Sequence, residues 1–315
     1  LTTSDKKCRN EIRGHIKKLH LLKYLHNMSY VVSYMLIFSI IEIGGARPGL
    51  RIIGGKDADE DKYEYIVRLV YHFNFQSLDI SQYKHTCTGA VLNPIWTLTA
   101  AHCIINKIIS NALKVKNISF LSVVQYNPKN HTWTPETMRE VISVFRHPSY
   151  IVTYGFVRND IALLKTTEIP LKQYARLSAL DVMTMVGQEV ILFGYGLSHS
   201  SGMINDTMSL KKPLQMIDAI VTKCKSVIPM KPAMCVARRC GQSVGLCPGD
   251  SGGPMLHPSG IVAVNSIGGL DQDVKKFCKL KNIKPNYEVG VLTPVSPFVE
   301  WISDTIEIHT KLINT

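Results

Sequence analysis

Three short segments contain the side chains that hydroxyl-based nucleophilic catalysis requires. Ser251 lies in Gly249-Asp250-Ser251-Gly252-Gly253-Pro254, where the flanking glycines allow a tight turn that exposes the hydroxyl. His102 follows the apolar stretch Leu98-Thr99-Ala100-Ala101, and Asp160 precedes the apolar stretch Ile161-Ala162-Leu163-Leu164. A serine hydroxyl becomes a strong nucleophile when a histidine accepts its proton and a carboxylate orients that histidine. Each segment alone is typical of an ordinary turn, core histidine or strand cap, so the hypothesis depends on their combination.

The elements that position these segments are mainly short strands. After residue 52, short apolar runs alternate with Gly, Pro, Asn and Asp, which predicts many antiparallel strands. The clearest runs are Tyr65–Tyr71, Ala90–Leu92, Trp96–Leu98, Val141–Phe145, Glu189–Phe193, Ile261–Val264 and Val289–Thr293. Helical spacing is clear only at the end, where Ser296 and Pro297 start a run with apolar residues at Phe298, Trp301, Ile302 and Ile306. Longer loops are expected at Phe73–Lys84 and Asn117–Arg139.

The chain has 315 residues, of which 45% are hydrophobic and 19% charged, as is typical of a globular protein. Its net charge is +12, but nine Lys and Arg against three Asp and Glu lie at or before Arg51. Half of the positive excess therefore lies in the first 51 residues, which contain the leader described next. Because no basic and aromatic module accompanies the remaining charge, we expect no nucleic-acid partner.

Residues 1–46 are interpreted as that leader. A basic stretch ending near Lys23 precedes the apolar run Tyr30–Ile43 and the small residues Gly44-Gly45-Ala46, the order found in secretory signals. The run is too short for a typical transmembrane helix, so we expect a secreted protein without a stable membrane anchor, with a signal anchor as the weaker alternative. Translation starting at Met28 or Met35 would make the preceding residues an artefact of the gene prediction.

The segments Thr99-Ala100-Ala101-His102-Cys103, Asp160-Ile161-Ala162-Leu163 and Gly249–Pro254, in that order, resemble the chymotrypsin-like (trypsin-fold) serine protease family. The resemblance covers about residues 52–308. It implies an all-β fold of two packed six-stranded antiparallel barrels with a C-terminal α-helix and the site between the barrels. It also implies that His102 is the general base and then acid, that Asp160 orients it, and that Ser251 forms the acyl-enzyme. The N–H groups of Gly249 and Ser251 would form the oxyanion hole, and no metal or cofactor is expected.

The segment Arg51-Ile52-Ile53-Gly54-Gly55 resembles the activation site of the same family. Residues 47–51 would be an activation peptide and residues 52–315 the protease domain of a zymogen. By the resemblance, cleavage after Arg51 frees the Ile52 ammonium group, which enters the protein and pairs with Asp250. This pairing would order the oxyanion loop only after cleavage.

An extracellular location allows the cysteines to form disulfides. The resemblance implies the pairs Cys87–Cys103, Cys224–Cys235 and Cys247–Cys278, and leaves Cys8 and Cys240 over. Cys240 is free, forms an intermolecular bond, or replaces Cys235. Glycosylation sequons begin at Asn117, Asn130 and Asn205.

The family places the floor of the primary specificity pocket six residues before the nucleophile, which is Gly245 here, with Leu246 beside it. The resemblance assigns the walls to Ser266, Gly268 and Gly290. A substrate cation would lose its hydration there without meeting a carboxylate, so cleavage after Phe, Tyr, Leu or Met is predicted. Such a pocket does not accept Arg51, and a separate trypsin-like protease is the expected activator.

The resulting hypothesis is a monomeric, secreted, digestive-type serine endopeptidase acting on proteins or peptides, with protein inhibitors as further partners. The alternatives are a regulatory cascade protease and a non-catalytic homologue that acts as a binding protein.

Overall fold

The computed structural model describes residues 55–75, 80–104, 118–125, 137–153, 156–196, 213–224, 230–239, 245–268 and 288–311. All of these lie in one compact unit, Pro48–Ser200 together with Asn205–Thr315. The strands are β1 Lys56–Asp57, β2 Ile66–Phe75, β3 Ile80–Asn93, β4 Trp96–Thr99, β5 Ile118–Gln125, β6 Met138–Arg146, β7 Ile151–Thr153, β8 Phe156–Arg158, β9 Ala162–Thr166, β10 Glu189–Gly194, β11 Gln215–Thr222, β12 Met230–Lys231, β13 Met234–Arg238, β14 Pro254–His257, β15 Gly260–Gly268 and β16 Glu288–Pro294. The helix is α1 Val299–Lys311, and 3-10 turns lie at Ala101–Cys103, Val182–Met185 and Ser296–Phe298.

The first barrel is closed by six strands in the order β2-β3-β4-β9-β6-β5. Its strands are rich in Val, Leu and Ile, which pack well on a pleated surface. Trp96, Leu98 and Leu163 are almost completely buried in its interior. Antiparallel pairing of β4 with β9 sets Thr99 opposite Ala162. The residues that follow β4 and precede β9 are therefore brought to the same end of the barrel.

The second barrel is formed by β11, β10, β14, β15, β16 and β13, and pairing of β13 with β11 closes the ring. Burial alternates strictly along β11, with Ile217, Ala219 and Val221 inside and the residues between them half-exposed. This period of two is the pattern of a strand with one face in a core. β1 joins the edge of β11. The predicted all-β fold with two six-stranded barrels and a C-terminal helix is confirmed.

The C-terminal helix packs on the core of the first barrel. Pro297 lies in the 3-10 turn before α1, where its missing N–H needs no partner. Phe298 and Ile302 are buried in the core cluster that contains Trp96. The Trp96 indole N–H also donates to the Thr310 hydroxyl at 3.2 Å. The predicted helical spacing thus follows the face that the barrel buries.

Two predicted loops contain strand in the structure. Residues 73–75 and 80–84 continue β2 and β3, where Phe75 pairs with Ile80. β5 lies within Asn117–Arg139 and pairs with β2 and β6. Both expectations missed these strands because polar residues interrupt the apolar runs. No helix among the described residues is both long and apolar enough to cross a membrane.

Candidate active site

His102 lies in a 3-10 turn directly after β4. The turn Ala101–Cys103 begins where β4 ends, and Ala101 and Cys103 are buried while the His102 side chain is 34% exposed. A disulfide joins Cys103 to Cys87 on β3, with a Cα separation of 5.9 Å. The turn is therefore covalently fixed to the barrel, and only the histidine projects from it.

Arg146, at the end of β6, fixes the same turn from the other side. Its Nε donates to the Ala101 carbonyl at 3.3 Å, and its Nη2 donates to the Ile104 carbonyl at 2.7 Å. These two carbonyls flank His102 in the chain. A guanidinium can bridge them because its donors diverge in a rigid plane.

Asp160 is fully buried and accepts hydrogen bonds from His102 and Ser266. Its Oδ1 accepts the His102 backbone N–H at 2.9 Å, and its Oδ2 lies 2.7 Å from His102 Nδ1. The Ser266 hydroxyl also donates to Oδ2. Asn159, at a φ of 52°, makes the corner before Asp160. Asn is among the residues that tolerate this left-handed conformation best.

The carboxylate and the imidazole stabilise each other's charged forms. Burial alone would lower the pKa of His102, but the Asp160 charge and hydrogen bond outweigh it, so the pKa is raised. Burial alone would raise the pKa of Asp160, but the interactions with His102 and Ser266 outweigh it, so the pKa is lowered. Asp160 therefore stays ionised near neutral pH and holds the proton of His102 on Nδ1, which leaves Nε2 able to accept another.

Ser251 lies in the tight turn that precedes β14. Gly249 and Gly252, on either side of it, have φ of 100° and 79°, a region that favours glycine. A Cβ on Gly252 would lie 2.1 Å from Thr99 Oγ1, so the turn packs directly against the end of β4. Within the described residues, neither the Gly249 nor the Ser251 N–H has a hydrogen-bond acceptor. Two unsatisfied donors beside a serine hydroxyl can stabilise an oxyanion.

Asp250 is buried beneath this turn and organises its backbone. Its Oδ1 accepts the Gly196 N–H at 2.7 Å, and its Oδ2 accepts the Cys247 N–H at 2.8 Å. A Cβ on Gly194 or Gly196 would lie 2.1 or 2.4 Å from Asp250 Oδ1. The lack of a side chain at both glycines therefore makes room for the Asp250 carboxylate.

The structure brings His102, Asp160 and Ser251 to one cleft of ≈ 360 Å³. The cleft is lined by His102, Val152, Val157, Asp160, Cys247, Pro248, Ser251, Ser266 and Ile267. Among the described residues, no hydrogen bond joins Ser251 to His102. Hydrogen bonds between catalytic groups are often long without substrate and tighten when it binds.

Ser266 is the predicted pocket residue that belongs to the lining of this cleft. It is buried, as are Gly245, Leu246 and Gly290. Gly268 pairs directly with Gly290 across β15 and β16. A Cβ on Gly290 would lie 2.6 Å from Leu246 Cδ1, so the leucine fills the space beside that glycine.

The predicted disulfides Cys87–Cys103 and Cys224–Cys235 are present. Cys247 is also disulfide-bonded. The remaining predicted residues lie outside the described part of the chain: Arg51, Ile52, Cys8, Cys240, Cys278, Asn117, Asn130 and Asn205.

One group of residues has the atom types of a metal site. Ligand atoms of Cys87, His102 and Cys103 lie within 4.8 Å of one another. The two sulfurs are bonded to each other, however, so neither can act as a thiolate ligand.

Several residues at the site carried no signal in the sequence. Arg146 and Thr88 contact the turns that carry His102 and Ser251, and Val152 and Val157 line the cleft. Ser266 was expected as a pocket wall, and its bond to Asp160 is an additional contact. These contacts join strands that are distant in sequence, so spacing could not predict them.

The comparisons with known proteins agree with this geometry. Residues 52–302 match the Trypsin family. The chain is 26% identical to Trypsin eta of Drosophila erecta, over 88% of this chain and 98% of that one. It is 27% identical to Trypsin of Phaedon cochleariae, over 83% and 90%, and 29% identical to human Serine protease 1, over 82% and 91%.

The fold is also found among solved structures. Neuropsin, described as a serine protease expressed in the limbic system of mouse brain, superposes with a TM-score of 0.56 and 19% identity, over 80% of this chain and 98% of that chain. From the family match over most of its length, this chain belongs to the trypsin family of chymotrypsin-like serine proteases.

Proposed function

We propose that this chain is a serine endopeptidase in which Ser251 is the nucleophile, His102 the general base and then acid, and Asp160 the group that orients His102. The observation that carries the proposal is the buried Asp160 carboxylate, which bonds both the backbone N–H and Nδ1 of His102 in the cleft that Ser251 lines. This arrangement leaves Nε2 as the proton acceptor on the side of the ring away from Asp160.

In the proposed reaction, Ser251 Oγ attacks the peptide carbonyl carbon while His102 Nε2 takes the hydroxyl proton. The carbonyl π electrons move to oxygen, and the N–H groups of Gly249 and Ser251 stabilise that oxyanion. Collapse of the intermediate breaks the C–N bond, and His102 returns the proton to the leaving amine. Water then repeats the sequence on the acyl-enzyme, releases the carboxylic acid product and regenerates Ser251.

The proposed specificity is for a large apolar residue before the scissile bond. Gly245 offers no carboxylate at the pocket floor, and Val152, Val157 and Ile267 make the nearby cleft apolar. Burying a Lys or Arg side chain without a counter-charge costs roughly several kcal/mol, so the pocket should exclude substrates with these residues before the scissile bond. Leu246 beside Gly290 would limit the depth of the pocket.

The proposal includes secretion as a zymogen that is activated by cleavage of the Arg51–Ile52 bond. The family match begins at residue 52, which agrees with that boundary. The apolar pocket implies that a separate trypsin-like protease makes the cut. A digestive role, rather than a cascade role, would be supported by cleavage that depends mainly on the single residue before the scissile bond.

The test uses the secreted full chain and its Ser251→Ala variant, both treated with immobilised trypsin and then separated from it. We expect the wild-type chain to hydrolyse fluorogenic peptide amides with Phe, Tyr, Leu or Met before the bond faster than those with Arg. The variant, processed identically at Arg51, should show no hydrolysis above background. Equal rates for the two proteins would assign the activity to residual trypsin and reject the proposal, and a preference for Arg would reject the specificity alone.

A further inference from the structure

Every polar atom of Thr88 is hydrogen-bonded, and two of these bonds connect the Ser251 turn to the first barrel. It lies on β3, next to Cys87, and is fully buried. Its N–H donates to the Ser251 carbonyl at 2.8 Å, and its carbonyl accepts the Thr99 hydroxyl at 2.9 Å. Its own hydroxyl donates to the Gly249 carbonyl at 2.9 Å and accepts the Tyr195 N–H at 3.1 Å.

These bonds hold the peptide groups that directly follow the two proposed oxyanion donors, because the Gly249 and Ser251 carbonyls lie one Cα after the Gly249 and Ser251 N–H groups. The Gly249 N–H and the Gly249 carbonyl lie on opposite sides of one Cα that has no side chain, so their relative orientation is intrinsically soft. Holding the carbonyl limits the rotations by which the N–H could turn away from the cleft. The Thr88 N–H holds the Ser251 carbonyl in the same way, so one residue fixes both ends of the Gly249–Ser251 segment.

We propose that Thr88 is a positioning residue that aims the Gly249 and Ser251 N–H groups into the oxyanion hole. The inference rests on the proposed function, because it assumes that these donors stabilise an oxyanion. Thr88 itself does not touch the substrate, and its effect passes from the Gly249 carbonyl to the Gly249 N–H through the backbone of that residue.

The hydroxyl, rather than the volume of the side chain, performs this role. The Gly249 carbonyl needs a donor and the Tyr195 N–H needs an acceptor, and a single hydroxyl supplies both. Valine fills nearly the same volume and supplies neither. The turn has little room to compensate, because a Cβ on Gly252 would lie 2.3 Å from the Thr88 carbonyl oxygen.

The test compares Thr88→Val with Thr88→Ser and with Thr97→Val as a matched control. Thr97 is a fully buried threonine on the adjacent strand β4, and its hydroxyl has no partner within the described part of the chain. Each variant is activated at Arg51, its active sites are titrated, and kcat, KM and the affinity for a substrate-like peptide aldehyde are measured. The aldehyde forms a tetrahedral adduct whose oxygen occupies the oxyanion hole.

We expect Thr88→Val to lower kcat per titrated site by about tenfold, less than the 100- to 1,000-fold that follows complete loss of an oxyanion donor. KM should change by less than about twofold and aldehyde affinity should fall in parallel with kcat, because ground-state binding is unaffected. Thr88→Ser keeps the hydroxyl and should stay within about threefold of wild type, and Thr97→Val should match wild type. Should the valine variant not fold, Thr88→Ala removes the same hydroxyl without filling its place.

A kcat per titrated site for Thr88→Val or Thr88→Ala equal to that of Thr97→Val would overturn the inference and leave the proposed function intact. An unchanged kcat with a lower melting temperature would show a structural role only, and would also overturn it. Failure of the proposed function looks different, because the activated wild-type chain would then neither hydrolyse peptides nor react with the active-site titrant.

Discussion

Asp160→Asn replaces a charged acceptor with an amide of the same shape, and the structure predicts which way that amide turns. Asp160 Oδ1 faces the His102 backbone N–H, which can only donate. Oδ2 faces His102 Nδ1 and the Ser266 hydroxyl, which can both accept. The oxygen of the substituted amide should therefore keep the position of Oδ1, with its NH₂ group directed at Nδ1.

This orientation changes the tautomer of His102. An NH₂ donor beside Nδ1 requires that nitrogen to accept, so the ring proton moves to Nε2. Nε2 can then no longer take the proton from Ser251. A wrong tautomer of this kind costs serine protease triads about 10⁴-fold in kcat, which corresponds to about 5 kcal/mol of activation free energy.

The assay measures kcat on a Phe or Leu peptide amide, per correctly folded molecule, for the activated chain. Asp218→Asn is the matched control, because this substitution removes only a surface ion pair with Lys56. The control should stay within about twofold of wild type. An Asp160→Asn enzyme that folds and keeps its kcat within about tenfold of the control would show that Asp160 does not set the tautomer of His102.

Three further predictions follow from the site. Asp160 raises the pKa of His102, and only the neutral imidazole can act as a base. We therefore expect kcat/KM to fall as the pH drops through a midpoint above the ordinary histidine value of about 6.5. An acid limb centred below about pH 6 would contradict this prediction. Gly196→Ala places a Cβ 2.4 Å from Asp250 Oδ1 and should lower the free energy of unfolding, measured by urea titration, by about 1–3 kcal/mol. An unchanged urea midpoint would show that this close contact does not destabilise the fold. Leu246→Ala removes a buried core side chain and should lower the free energy of unfolding by about 2–5 kcal/mol. It should also raise the ratio of kcat/KM for Phe substrates over Leu substrates. A constant ratio would show that Leu246 does not limit the pocket.

The sequence predicted the three segments that are proposed to be catalytic because their combination, in the order His, Asp, Ser, resembles a known family. His102 follows a strand and adjoins a cysteine, and Asp160 precedes a strand, so their local surroundings could be read directly. The disulfide between Cys87 and Cys103 and the helical face with Ile302 were also predicted and are present. The family resemblance implied the disulfide pairing, whereas the spacing of apolar residues predicted the helical face.

The supporting contacts could not be predicted, since they depend on register between distant strands. Thr88 meets Gly249 across 161 residues, and Ser266 meets Asp160 across 106. Arg146 reaches the His102 turn only because β6 and β9 pair so that Arg146 lies opposite Ala162. Without that register, Thr88 and Arg146 read as ordinary strand residues.

Ser251, activated by His102, is the proposed nucleophile. The most direct measurement is mass-spectrometric mapping of a fluorophosphonate adduct on the chain cleaved at Arg51, beside the uncleaved chain and His102→Ala. We expect nearly complete labelling on the peptide that contains Ser251, with much slower labelling of both controls. A folded, cleaved chain that stays unlabelled, or that carries the label at another residue, would contradict it.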